Sequence, residues 1–167
     1  TNKVTGIMSY ESSSSYYTSQ RRSRYVRLNA SSGGAGPFPL ITTLLADPIP
    51  VVDVTIDTTG MRSPVILLHY TSVVCLPIGV SITLNFEIRR SYQDGAAVCV
   101  GPTHTFSTLV TALEAESFAF QYYDSNLAPG VYTYSIQLST NSFIDITPGL
   151  TINNAMLSAL AVDNDPC

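Results

Sequence analysis

Apolar residues Ile82, Leu84, Phe86 and Ile88 alternate strictly with Thr83, Asn85, Glu87 and Arg89. A two-residue period sends one set of side chains to each face of an extended backbone, so this stretch fits a half-buried β-strand and not a helix. The pattern recurs at Val52, Val54 and Ile56, at Phe118, Phe120 and Tyr122, and at Tyr132, Tyr134, Ile136 and Leu138. Further strands are expected over residues 39–45, 65–74, 96–100, 103–110, 143–146 and 155–162. Turn formers separate them: Asp57-Thr58-Thr59-Gly60, Gln93-Asp94-Gly95, Asp124-Ser125-Asn126 leading to Pro129-Gly130, and Pro148-Gly149. Residues 109–116 alone leave room for a helical turn. A regular series of about eight to ten short strands makes the chain all-β, a two-sheet β-sandwich of jelly-roll type. Phe86, Phe118, Phe120, Tyr132 and Tyr134 then belong to the core between the sheets.

A chain of 167 residues can bury one core of ordinary size. Its charged fraction, 12%, is about half the usual share of roughly 25%, while its hydrophobic fraction is an ordinary 45%. Disorder as a whole is excluded, because that needs the opposite balance. A lone monomer with so little charge is poorly protected against association, whereas a subunit of an assembly needs no such protection. The longest apolar runs, Val65–Leu68 and Val73–Val80, fall far short of the roughly 18 residues of a spanning helix, so membrane insertion is not expected. Thr1 to Ser9 lacks the basic start and apolar stretch of a secretory signal.

Charge is unevenly placed. Residues 1–27 hold Lys3, Arg21, Arg22, Arg24 and Arg27 against Glu11, a net +4, and the remainder carries −8. With the polar tracts Ser12–Ser15 and Ser31-Ser32-Gly33-Gly34, residues 1–36 read as an extended arm ahead of a β-sandwich body over 37–167. Within the arm, Arg21, Arg22, Arg24, Tyr25, Val26, Arg27 and Leu28 form the candidate inter-subunit segment. Its apolar residues would add as a strand to a neighbour's sheet, and its arginines would face acids such as Asp53, Asp57 or Glu87 there. Neutralising phosphates, as in a small viral jelly-roll coat protein, is the alternative role of such an arm, and the weaker one for a chain of net charge −4.

Little else points to chemistry. His69 and His104 lie inside expected strands, and no Gly-flanked serine marks a nucleophile elbow. Cys75, Cys99 and Cys167 show none of the spacings of a zinc site. They are candidate cross-linking residues, either as three free thiols or as one pair plus a leftover. In the paired reading Cys75 and Cys99 bridge within the sandwich and Cys167 lies near a subunit interface. Asp53 with Asp57, and Asp163 with Asp165, are read as solvated acids ahead of a weak Ca²⁺ site. The expectation is a protein that is not an enzyme and uses no cofactor or metal.

Three segments also carry a likeness: Val54-Thr55-Ile56-Asp57-Thr58, Ile66-Leu67-Leu68-His69-Tyr70-Thr71-Ser72 and Val100-Gly101-Pro102-Thr103-His104-Thr105-Phe106-Ser107. With Ser117-Phe118-Ala119-Phe120 and Tyr132-Thr133-Tyr134, the stretch from Val51 to Val162 resembles an uncharacterised β-rich domain family of spore-forming, clostridia-type Firmicutes. In style it is similar to jelly-roll subunits of endospore appendages and to head domains of spore-surface collagen-like proteins. Members of the family are often richer in cysteine than this chain. The resemblance implies a structural protein that assembles with itself, outside the cell or on the spore surface.

Overall fold

A computed structural model of the chain describes residues 25–38, 47–77, 81–109, 113–145 and 149–164. The expected strand over 39–45 lies outside these, as do Arg21, Arg22, Arg24 and Cys167. Among the described residues nine strands follow one another: β1 (Val26–Ala35), β2 (Ile49–Asp57), β3 (Pro64–Leu76), β4 (Ser81–Tyr92), β5 (Val98–Leu109), β6 (Glu114–Asp124), β7 (Val131–Leu138), β8 (Phe143–Asp145) and β9 (Thr151–Asp163). They form two antiparallel sheets, one ordered β1-β9-β3-β6 and the other β2-β7-β4-β5, with short β8 paired to the start of β4. The chain crosses between sheets at most connections, and this pair of strand orders is that of a jelly roll, two interleaved Greek keys.

The period-2 pattern does what the sequence reading expects of it. Ile82, Leu84, Phe86 and Ile88 are buried, as are Ile66, Leu68, Tyr70 and Val74 of β3 opposite and Tyr132, Tyr134, Ile136 and Leu138 of β7. Phe118 and Phe120 point inward but are only half-buried, because they lie on edge strand β6 at a rim of the sandwich. There they pack on Tyr70 and Phe86, with ring centroids 4.8–6.5 Å apart.

Two expectations are corrected. The runs 96–100 and 103–110 are not separate strands: β5 passes through both. Its pairing with β4 shifts register between Phe86 and Ile88, so Gly101 and Pro102 form a bulge. Gly101 has φ +70° and lies under the Tyr122 ring, where a Cβ would come within 2.5 Å of the ring carbon Cε2. Within 109–116, where the sequence leaves room for a helical turn, Leu109 ends β5 and Glu114, Ala115 and Glu116 are in ladder with Leu76, Cys75 and Val74, while 110–112 lie outside the described residues.

The boundary between arm and body also moves. Residues 26–35, assigned to the arm, form edge strand β1, paired with the chain's own β9 from Val26↔Val162 to Ala35↔Ile152. Size helps it fit: three core-side positions of β9 opposite it, facing Arg27, Asn29 and Gly33, are Ala161, Ala159 and Ala155, with Leu157 opposite Ser31. Gly33 then presses on the Val51 carbonyl and Val52 of β2, and Asn29 Nδ2 donates to Thr55 O at 2.6 Å. One side of the sandwich is thereby closed by a polar strand.

Candidate assembly surface

β1 differs from the other strands in what it contributes. None of its ten residues is buried, and its core-facing side carries Arg27, Asn29, Ser31 and Gly33 rather than large apolar groups. Its hold on the domain is the backbone ladder to β9 with a few polar ties. Arg27 Nη1 lies 3.6 Å from Asp57 Oδ2, with both side chains nearly half exposed. The Asp57 carboxylate sits below its ordinary range, chiefly through the Thr59 hydroxyl and amide beside it and only lastly through Arg27. So Val26–Leu28 is part of a strand, as the sequence suggests. One acid proposed for a neighbouring subunit, Asp57, meets an arginine of its own chain.

The outer faces of the two sheets are unlike. On the β2-β7-β4-β5 sheet, the outward row Asp53–Ser135–Arg89–Cys99 runs beside Glu87, a charged and polar surface. On the β1-β9-β3-β6 sheet, the outward rows are Val26–Val162–Val65, Leu28–Leu160–Leu67–Tyr123, Ala30–Ser158–His69–Gln121 and Ser32–Met156–Thr71–Ala119. None of these four rows contains Asp, Glu, Lys or Arg. Leu28 is 70% exposed, Val26 59%, Tyr123 57% and Met156 51%. Leu67, Leu160, Tyr123 and Met156 were not singled out from the sequence. Val65–Leu68 is apolar throughout, and period alone does not say which of its residues face outward. A visible signal lies in β9, where alanines at the core positions alternate with Met156, Leu160 and Val162.

The other candidates are dispersed. Cys75 points out of one sheet, where Asn153 Nδ2 approaches its sulfur at 3.3 Å, and Cys99 points out of the other, where its thiol donates to Glu87 Oε2 at 3.5 Å. Both are free, and a bridge between them through the sandwich is ruled out by these opposite orientations. Partial burial, with Glu87 beside it, raises the Cys99 pKa. His69 faces outward; His104 faces inward and stacks on Phe120 at 3.9 Å, and burial lowers its pKa. Among the described residues, no group of three or more His, Cys, Asp or Glu is placed to hold a metal, and no helix is long and apolar enough to cross a membrane. Asp163 Oδ1 instead accepts from the amides of Arg62 and Ser63, at 3.2 and 3.0 Å.

A buried polar cluster ties the sheets together at one end. Arg90 of β4 reaches Asp124 of β6 with Nη1 at 3.0 and 2.8 Å from its two carboxylate oxygens, and Tyr134 of β7 donates its hydroxyl to Asp124 Oδ2 at 2.8 Å. Nearby, Tyr92 and Tyr132 donate to the carbonyls of Pro129 and Ala128, which pins the β6–β7 loop. Arg90 and Tyr134 together hold both oxygens of the nearly buried Asp124 carboxylate, so the arrangement is a clamp between strands.

The strand order and the surfaces together define a jelly-roll domain with one uncharged sheet face. Over residues 28–162 the chain matches a family described as Domain of unknown function (DUF4489), and it belongs to that family. The match begins inside β1, so this strand is part of the family's domain. No curated protein matches the chain. Among solved structures it is similar to the structure of infectious bursal disease virus Gx strain, with 15% identity, a TM-score of 0.44, and coverage of 86% of this chain and 34% of that one. It is also similar to the enzymatically active domain of bacteriophage CBA120 tailspike protein 4, with 14% identity, a TM-score of 0.33, and coverage of 80% of this chain and 19% of that one. The chain thus spans about a third or less of the length of either.

Proposed function

We propose that this protein is a non-enzymatic structural subunit that assembles with copies of itself into a filament, extracellular or on the spore surface, each subunit giving its N-terminal segment to the next. The observation that carries the reading is β1: it is an edge strand that pairs through its backbone while burying no large side chain. Exchanging it between copies replaces one ladder with an identical one and sacrifices almost no core packing, which is the physical requirement for strand complementation. Because donor and acceptor are different surfaces, the contact is head-to-tail and extends as an open fibre unless its rotation closes a ring. The low charge of the chain and its resemblance to spore-surface structural domains favour the same reading.

Negative-stain microscopy of the purified full chain, beside a chain lacking residues 1–35, tests it. Fibres from the first, none from the second, and capping of growth by a free peptide of residues 25–36 are the expected results. Monomers under all conditions would refute the proposal. Closed shells that co-purify with nucleic acid would replace it with the viral coat reading.

A further inference from the structure

We infer that the outer face of the β1-β9-β3-β6 sheet is an interface for a second copy of this chain, the same face of each copy packing against the other; this rests on the reading of the chain as a self-assembling subunit. Three observations converge on that occupant.

The first is charge. The four outward rows contain no Asp, Glu, Lys or Arg, so a charged partner surface would lose water there and gain no counter-charge. The outer face of the other sheet, with Asp53, Glu87 and Arg89, is such a mismatch. So is the N-terminal segment that contains Arg21, Arg22 and Arg24. A second copy of the uncharged face matches in both polarity and extent.

The second observation is the distribution of exposure. Most of the exposed apolar side chains lie in one band, Val26, Leu28, Leu160, Leu67 and Tyr123, with Met156 two rows away across the row Ala30–Ser158–His69–Gln121. Large exposed apolar groups arranged as a patch, rather than singly, mark contact surfaces. The rows farther along β3 turn polar, so the band has an edge.

The third is area. Four strands at about 4.8 Å spacing and roughly eleven residues long at about 3.3 Å per residue present a face of about 700 Å². A stable interface takes about 800 Å² from each partner. Aligned packing of two sheet faces is an established geometry, with about 10 Å between sheets, and a shared face related by a two-fold axis is the commonest form of self-association.

Sedimentation analysis and microscopy of the full chain, its Leu67→Asp variant and a control Ser107→Asp variant on the outer face of the other sheet form the test. Circular dichroism verifies that each folds, and Tyr123→Asp, at a more exposed position, stands in if Leu67→Asp does not. The expected result is two-fold pairing in the wild type and the control, reduced at least ten-fold in affinity by Leu67→Asp. Where fibres form, they should be laterally paired in the wild type and single in the variant. Wild-type dimers that never grow into fibres, with Leu67→Asp monomeric, would uphold this interface while refuting the filament reading. Fibres equally paired in wild type and variant would overturn the interface and leave the filament reading standing. Pairing that survives Leu67→Asp but is lost on removing residues 1–24 would overturn it in favour of that segment.

Discussion

Arg90 and Asp124 meet between the two sheets, and the Asp124 side chain is only 5% exposed while that of Arg90 is 27% exposed. Replacing Arg90 with Met keeps most of the stem volume but leaves the Asp124 carboxylate with the Tyr134 hydroxyl as its one remaining donor from this cluster. Breaking a buried ion pair from one side costs about 3–5 kcal/mol, because the surviving charge stays buried without its partner. Water reaches part of Arg90, so the lower end applies, about 3 kcal/mol, or roughly 6–12 °C in melting temperature for a chain of this size. Removing the charge as well, in an Arg90→Met, Asp124→Leu double variant, should recover most of the loss and leave about 1 kcal/mol for the orphaned Tyr134 hydroxyl. Adding Tyr134→Phe should recover that too. Urea denaturation of the whole series supplies the free energies. Arg90→Met within about 0.5 kcal/mol of wild type would show that the pair is screened like a surface contact and refute the clamp; a double variant no better than the single would refute the account of the cost.

Phe86→Ala should cost about 3–5 kcal/mol, and Phe118→Ala clearly less because it is only half-buried, both measured by the same denaturation. Burial pushes the Tyr70 phenol up from its ordinary 10.0 to about 12, and Tyr134 is raised further in the same direction, by burial first and by Asp124 next. The folded chain then keeps protons that the unfolded chain releases, so this contribution is complete below about pH 10 and declines above it, by roughly 1.4 kcal/mol per pH unit for each phenol; Tyr70→Phe should flatten the decline. Thiol labelling without reductant should find Cys75 and Cys99 both unpaired. Glu87→Gln should speed labelling of Cys99 by lowering its pKa, and no change in rate would count against the Glu87 contact.

The sandwich itself was legible because β2, β4 and β7 each put one apolar and one polar face in strict alternation. The start of β1 was legible as a strand but its place was not, for a definite reason: its core side carries Arg27, Asn29, Ser31 and Gly33 while Val26 and Leu28 face outward, the reverse of the pattern that identifies a half-buried strand. Such a strand is chosen by what it lies against, the alanines of β9 and the Val51 carbonyl, and those neighbours are far away in sequence. Of the candidate site residues, Val26 to Leu28 lie on edge strand β1, but the outward band through Leu160, Leu67 and Tyr123 needs the register of three strands to assemble it. The cysteines failed as a pair for a similar reason, since spacing along the chain does not reveal which face of which sheet a thiol occupies.

Val26 pairs with Val162, so the ladder that closes the sheet joins residues near opposite ends of the chain. A ribosome adding about 5–20 residues per second delivers β9 roughly seven to twenty-seven seconds after β1. For that interval the nascent β1 has no partner of its own, whereas every finished chain nearby already has a β9. Long-range pairings of this kind are also the slow steps of folding. Whether β1 ends on its own domain or on another copy is therefore a matter of timing and crowding on the polysome as well as of final energies, and spacing nascent chains farther apart should shift the yield toward self-contained monomers.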